Sequence, residues 1–103
     1  MPIKGDRYIW SDRARYASEE PGVYELIDSK GNTIFIGAAK NLKDRFNSYV
    51  TTSFDAKKCK KATKYYRREV GADFEERRVE LLEEYADQNN GSPPKCNKVV
   101  KKG

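Results

Sequence analysis

The chain has no histidine, a single tryptophan, a single methionine and two cysteines among 103 residues. Without histidine, the side chain that usually exchanges protons near neutral pH is missing, so any general base must be a tyrosine, a lysine or a carboxylate. Cys59 and Cys96 lack CxxC spacing and have no histidine to complete a zinc site, which removes the common structural zinc motifs. The expected state is two reduced thiols in a reducing compartment, with a disulfide between them left open. No apolar run of about 18 residues occurs, and the N-terminal segment has no apolar signal-peptide core. Neither a membrane span nor secretion is indicated, and the expected location is cytoplasmic. Internal repeats are also absent.

What is present is charge and aromatic surface. Charged residues make up 36% of the chain, the formal net charge is +5, and 12% of residues are aromatic against a modest 37% hydrophobic total. This length supports one core. Residues 1–20 mix Tyr8, Ile9, Trp10 and Tyr16 with charges and are expected to pack as an extension on a domain spanning 21–103, with Trp10 as anchor.

Residues 21–45 carry the densest information. Residues 23–28 alternate as a strand, Tyr24 and Leu26 on one face and Val23, Glu25 and Ile27 on the other. Ser29, Lys30, Gly31 and Asn32 supply a hairpin turn, and residues 33–37 resume a β-branched and aromatic strand closed by Gly37. Asn41 is placed to cap a helix with Asp44 as capping-box partner. On that helix Leu42, Phe46 and Tyr49 form an apolar stripe. Arg45 shares their face, either snorkelling at its edge or serving a site, since a charge buried without a partner is costly.

Gly22-Val23-Tyr24, ten intervening residues, Phe35-Ile36-Gly37 and then Asn41-Leu42-Lys43-Asp44-Arg45 resemble the GIY-YIG nuclease domain. Its pattern is GIY, about ten residues, YIG and a helix bearing an arginine. Pro94-Lys95-Cys96-Asn97 resembles that family's Pro-x-x-Asn ending. The resemblance implies a small α/β (α+β) fold, a three-stranded, mostly antiparallel sheet flanked by helices. It implies phosphodiester hydrolysis with a divalent metal, magnesium or manganese, on nucleic acid, DNA ahead of RNA. In those terms Tyr24 activates the attacking water, Arg45 faces the scissile phosphate, and Asn97 supports the site. The chemistry needs an oriented nucleophile and compensation of developing negative charge.

The C-terminal half adds a basic run, Lys57, Lys58, Lys60, Lys61, Lys64, Arg67 and Arg68, interleaved with Tyr65 and Tyr66. Such a cluster fits a phosphate-binding surface with stacking aromatics, or else a solvated face. Lys95, Lys98, Lys101 and Lys102 form a second basic patch. Residues 63–70 read as the third strand, and Asp73 as the cap of a helix to about residue 88, with Glu76 as capping-box partner and Phe74, Leu81, Leu82 and Tyr85 as its stripe. Residues 89–94 form an exposed loop.

Two positions depart from the family pattern. Phe35 replaces the second tyrosine and lacks its hydroxyl. Arg78 falls where the metal-binding glutamate is expected, and Glu80 serves as metal ligand only if the helix register shifts. The reading is a metal-dependent endonuclease, slightly ahead of a degenerate, non-cleaving nucleic-acid-binding module, with a protein-interaction module third. A monomer or weak dimer is expected, and cutting both strands would require two copies.

Overall fold

A computed structural model describes residue 3 and residues 7–52 and 59–97. Four strands form one antiparallel sheet in the order β1-β4-β2-β3. The strands are β1 (Tyr8–Ile9), β2 (Gly22–Asp28), β3 (Thr33–Ala39) and β4 (Thr63–Val70). The helices are α1 (Trp10–Arg13), α2 (Leu42–Thr52) and α3 (Phe74–Gln88), with 3-10 turns at Ala14–Tyr16 and Lys60–Ala62.

The sheet therefore has one strand more than the three expected. The addition comes from the N-terminal segment, where Tyr8 and Ile9 pair with Tyr66 and Tyr65 on the outer side of β4. No strong alternation marks so short a strand, and its place is set by Trp10, which packs edge-on against Phe46 and Tyr66 at centroid distances of 5.1 and 5.6 Å.

Strand β2 is central and covered on both faces. Tyr24 and Leu26 join Trp10, Leu42, Phe46 and Tyr66 in one cluster, while Val23 joins Ile36 and Leu81, with Phe74, Leu82 and Tyr85 packed alongside. Helices α1 and α2 thus cover one face and α3 the other, and the α3 stripe is the one its spacing predicts. Glu25 is the exception on this strand, 6% exposed, its carboxylate 2.8 Å from Arg67.

Local chemistry sets the element ends. The hairpin closes on Asp28, whose carboxylate accepts the Lys30 and Asn32 N–H groups at 3.0 and 2.9 Å, while Gly31 supplies a φ of 89°. Strand β3 does not stop at Gly37. It runs to Ala39 with Gly37 opposite Tyr24, because Gly37 serves a close approach: a Cβ there would lie 2.6 Å from the Tyr24 hydroxyl and 2.7 Å from the Phe35 ring. Asn41 caps α2 as expected, accepting the Asp44 N–H at 3.0 Å. Helix α2 runs to Thr52, and residues 53–58 lie outside the described residues. At α3 the expected capping box does not form, since Asp73 makes no side-chain bond to the helix end; Glu75 and Glu76 still complement the helix dipole.

After α3 the chain turns through Asn90 and Gly91, both at positive φ, and returns to β3. There Cys96 N–H donates to Ile34 O, and the Asn97 amide bonds both backbone groups of Ile36, at 2.8 and 2.9 Å. Strand β3 is a sheet edge, and this turn occupies its outward hydrogen-bonding groups. The same return brings Cys96 to Cys59, and the two form a disulfide with Cα atoms 5.6 Å apart. That corrects the expectation of two reduced thiols.

Candidate functional site

The motif residues meet where β2, β3 and α2 converge. Tyr24 rises from the central strand with no exposed surface, wedged between Phe35 and Phe46 at ring distances of 6.0 and 5.2 Å. Its hydroxyl reaches the hydroxyl of Tyr49 at 2.9 Å. One helical turn before Tyr49, on the same face of α2, Arg45 addresses both hydroxyls. Lys60, from the turn before β4, donates to the Tyr49 hydroxyl at 3.3 Å and lies 3.8 Å above the Phe35 ring.

These neighbours divide the two tyrosines. Burial, reinforced by Tyr49, holds the Tyr24 phenol far above the ordinary tyrosine range despite Arg45. At Tyr49 burial pushes upward too, but the hydrogen bond from Tyr24 and the charges of Lys60 and Arg45 outweigh it, and the phenol is lowered. For Arg45, burial works against the charge, while Tyr24 and Tyr49 more than compensate and raise it. Tyr49 is therefore the member of the pair that ionises first. Its sequence signal was the spacing of four between Arg45 and Tyr49, hidden because Tyr49 also fits the apolar stripe.

Beside Arg45 opens a cleft of about 550 Å³ between the end of β3, the start of α2 and the start of α3. Lys40, Arg45 and Arg78 line it together with Asp44 and Glu75. Arg78 thus shares the cleft with Arg45. Glu80 does not: it lies in a separate groove with Arg77, 3.2 Å away. Glu75, in the first turn of α3, is the α3 carboxylate that shares the cleft. Asn97 stands on the far side of β3, where it clamps Ile36.

The basic run does not form one stripe. Lys57 and Lys58 lie outside the described residues, as do Lys98, Lys101 and Lys102. Lys60 and Lys61 lie in the turn before β4, and strand alternation separates Lys64 and Arg68 from Arg67. Lys60 turns into the tyrosine pair, Lys61 and Lys64 are exposed, Arg67 is engaged by buried Glu25, and Arg68 lines a small hollow with Tyr8, Tyr16 and Tyr66.

Residues 20–70 match the family model of the UvrC-like GIY-YIG domain. The UvrABC system protein C of Histophilus somni is 46% identical over 41 residues, 40% of this chain, and that of Chromohalobacter salexigens is 48% identical over 40 residues, 39% of this chain. In both cases the match spans about 7% of the relative's length. Among solved structures, a point mutant of the GIY-YIG N-terminal endonuclease domain of Thermotoga maritima UvrC, bound to its catalytic divalent cation, superposes with a TM-score of 0.65 at 25% identity, covering 87% of this chain and 96% of that one. The same domain with magnesium gives 0.61 at 26% identity, over 86% and 96%. Motif spacing, sheet topology and these likenesses converge, and the chain belongs to the GIY-YIG nuclease domain family.

Proposed function

We propose that the domain is an endonuclease that hydrolyses a nucleic-acid phosphodiester, DNA ahead of RNA, in the cleft of Arg45, acting in the cytoplasm. The observation that carries this reading is the joining of Arg45 to the Tyr24–Tyr49 pair beside a cleft that also holds carboxylates.

The donor set bears on a metal. No group of three or more His, Cys, Asp or Glu residues converges among the described residues. Magnesium, however, is commonly held by one or two carboxylates plus substrate phosphate and water, and Glu75 and Asp44 line the cleft. They fit such a substrate-completed ion, with Glu75 in place of Glu80. Bound there, it would supply Lewis-acid stabilisation of the phosphoryl oxygens.

The chain's own residues do the rest. Arg45 offsets the charge that develops as water attacks phosphorus and the P–O bond to the leaving oxygen breaks. Tyr49, rather than the fully buried Tyr24, serves as base: its phenolate takes the proton of the attacking water and becomes the neutral phenol, while the leaving oxygen takes a proton from solvent. Tyr24 holds Tyr49 in place from below, and Asn97 secures β3 beneath both.

Arg78 favours a second reading, a phosphate grip that binds without cutting, because a guanidinium on the cleft wall attracts phosphate and repels a cation. Nicking of supercoiled plasmid and cleavage of labelled single-stranded DNA, with magnesium, manganese or EDTA, separates the two. Metal-dependent cutting that falls by about 10²-fold or more in Arg45→Ala and is lost in Glu75→Gln supports the endonuclease. Salt-sensitive binding without cutting, weakened by Arg45→Ala and Arg78→Ala alike, supports the grip. Neither binding nor cutting overturns both.

A further inference from the structure

We propose that Lys60 is a positioning residue of this site: its ammonium, seated on the face of the Phe35 ring, holds the outer hydroxyl of the Tyr24–Tyr49 pair. The role for the pair rests on the proposed phosphodiester site; the placement of Lys60 does not.

The geometry is specific. Lys60 Nζ donates to the Tyr49 hydroxyl at 3.3 Å, sits 3.8 Å from the Phe35 ring centroid and 5.1 Å from that of Tyr49. Phe35, where the family pattern has tyrosine, offers a ring face and no competing hydroxyl, so the ammonium stacks on the ring and donates a hydrogen bond to Tyr49. The backbone at Lys60 is tied on both sides. Cys59 is bonded to Cys96, next to the Asn97 that clamps β3, and Thr63 donates its hydroxyl to Lys60 O at 2.6 Å. A surface lysine in a solvated run has no such anchorage.

Among the described residues, Tyr24 from β2, Arg45 from α2 and Lys60 from the turn before β4 face the Tyr49 hydroxyl. Trp10 from α1 faces the Tyr49 ring at 6.1 Å and contributes no charge. Tyr24 and Arg45 belong to the motif helix and hairpin, whereas Lys60 comes from a segment that carries no motif residue.

The test is spectrophotometric titration of phenolate absorbance in the wild type, Lys60→Met and Lys60→Arg, each paired with the same background carrying Tyr49→Phe, so that the difference isolates Tyr49. Circular dichroism at each pH confirms that the fold persists. Methionine keeps the apolar stem over Phe35 and removes the charge. The Tyr49 transition is expected to move up by about 1 pH unit in Lys60→Met and to stay low in Lys60→Arg. An unchanged transition in folded Lys60→Met, or a shift that arginine fails to reverse, overturns the proposal. DNA binding and cleavage are measured on the same proteins: a titration shift without either leaves Lys60 in its place and removes the phosphodiester reading instead.

Discussion

The Tyr24 hydroxyl meets that of Tyr49 at 2.9 Å, and Tyr24 has no exposed surface. A strand tyrosine and a helix tyrosine therefore act as one unit whose outer member faces Lys60 and Arg45. Replacing Tyr24 by phenylalanine keeps the ring packing and deletes the hydrogen bond between the two hydroxyls. The expected cost in stability is about 1 kcal/mol, and the Tyr49 phenol rises because a stabilising hydrogen bond to its ionised form is gone. Denaturant unfolding and phenolate titration of Tyr24→Phe measure the two effects separately. An unchanged Tyr49 titration would show that the pair is not coupled.

Gly37 sits under both rings. An alanine Cβ would stand 2.6 Å from the Tyr24 hydroxyl and 2.7 Å from the Phe35 ring, and both rings are held by their neighbours. Gly37→Ala is expected to lose roughly 1–3 kcal/mol of stability through overpacking, with altered near-ultraviolet circular dichroism from the displaced Tyr24 ring. A variant as stable as the wild type would show that the rings give way freely.

Asn97 acts on β3 rather than in the cleft. Its amide bonds the Ile36 N–H and C=O, so Asn97→Ala leaves both groups on the sheet edge without that partner. A loss of about 1–3 kcal/mol is expected, with faster hydrogen exchange at the Ile36 amide. Protection unchanged at Ile36 would contradict the clamp.

Asp28 gives the hairpin a pH dependence. The Asn32 backbone N–H stabilises its carboxylate most; desolvation opposes this, and the Lys30 N–H adds to it, so that the pKa is lowered. A group depressed in the folded state adds stability above its unfolded pKa, about 3.9, and loses it as pH falls through the folded value. Asp28→Ala is therefore expected to melt below the wild type at neutral pH, the difference closing below about pH 4. A gap that persisted in acid would place its origin elsewhere.

Much of this architecture follows from residues a few positions apart. The alternation of Tyr24 and Leu26 against Val23 and Ile27, the Asp28–Gly31 turn, the Asn41 cap, the extent of β4 and the α3 stripe all arise from local periodicity and turn chemistry, and the triplets with Arg45 identify the family. Even here Asp73 looked like a cap and makes no capping bond, because a suitable residue type does not ensure the backbone geometry that capping needs.

Only the tertiary structure decided the rest. Tyr8 and Ile9 become a fourth strand because Trp10 finds a pocket between Phe46 and Tyr66. Within the basic run, Lys60 faces Tyr49 while Arg67 faces Glu25, a distinction set by strand phase and by a disulfide that spacing alone left open. Glu75 rather than Glu80 shares the cleft with Arg45 because α3 begins beside the end of β3. The contacts that build the site and its supporting strand join residues far apart in the chain, 25 positions for Tyr24 and Tyr49 and 61 for Ile36 and Asn97. Local pattern encodes which face of an element is apolar; which faces meet, and which charges then share a space, depends on how the elements pack.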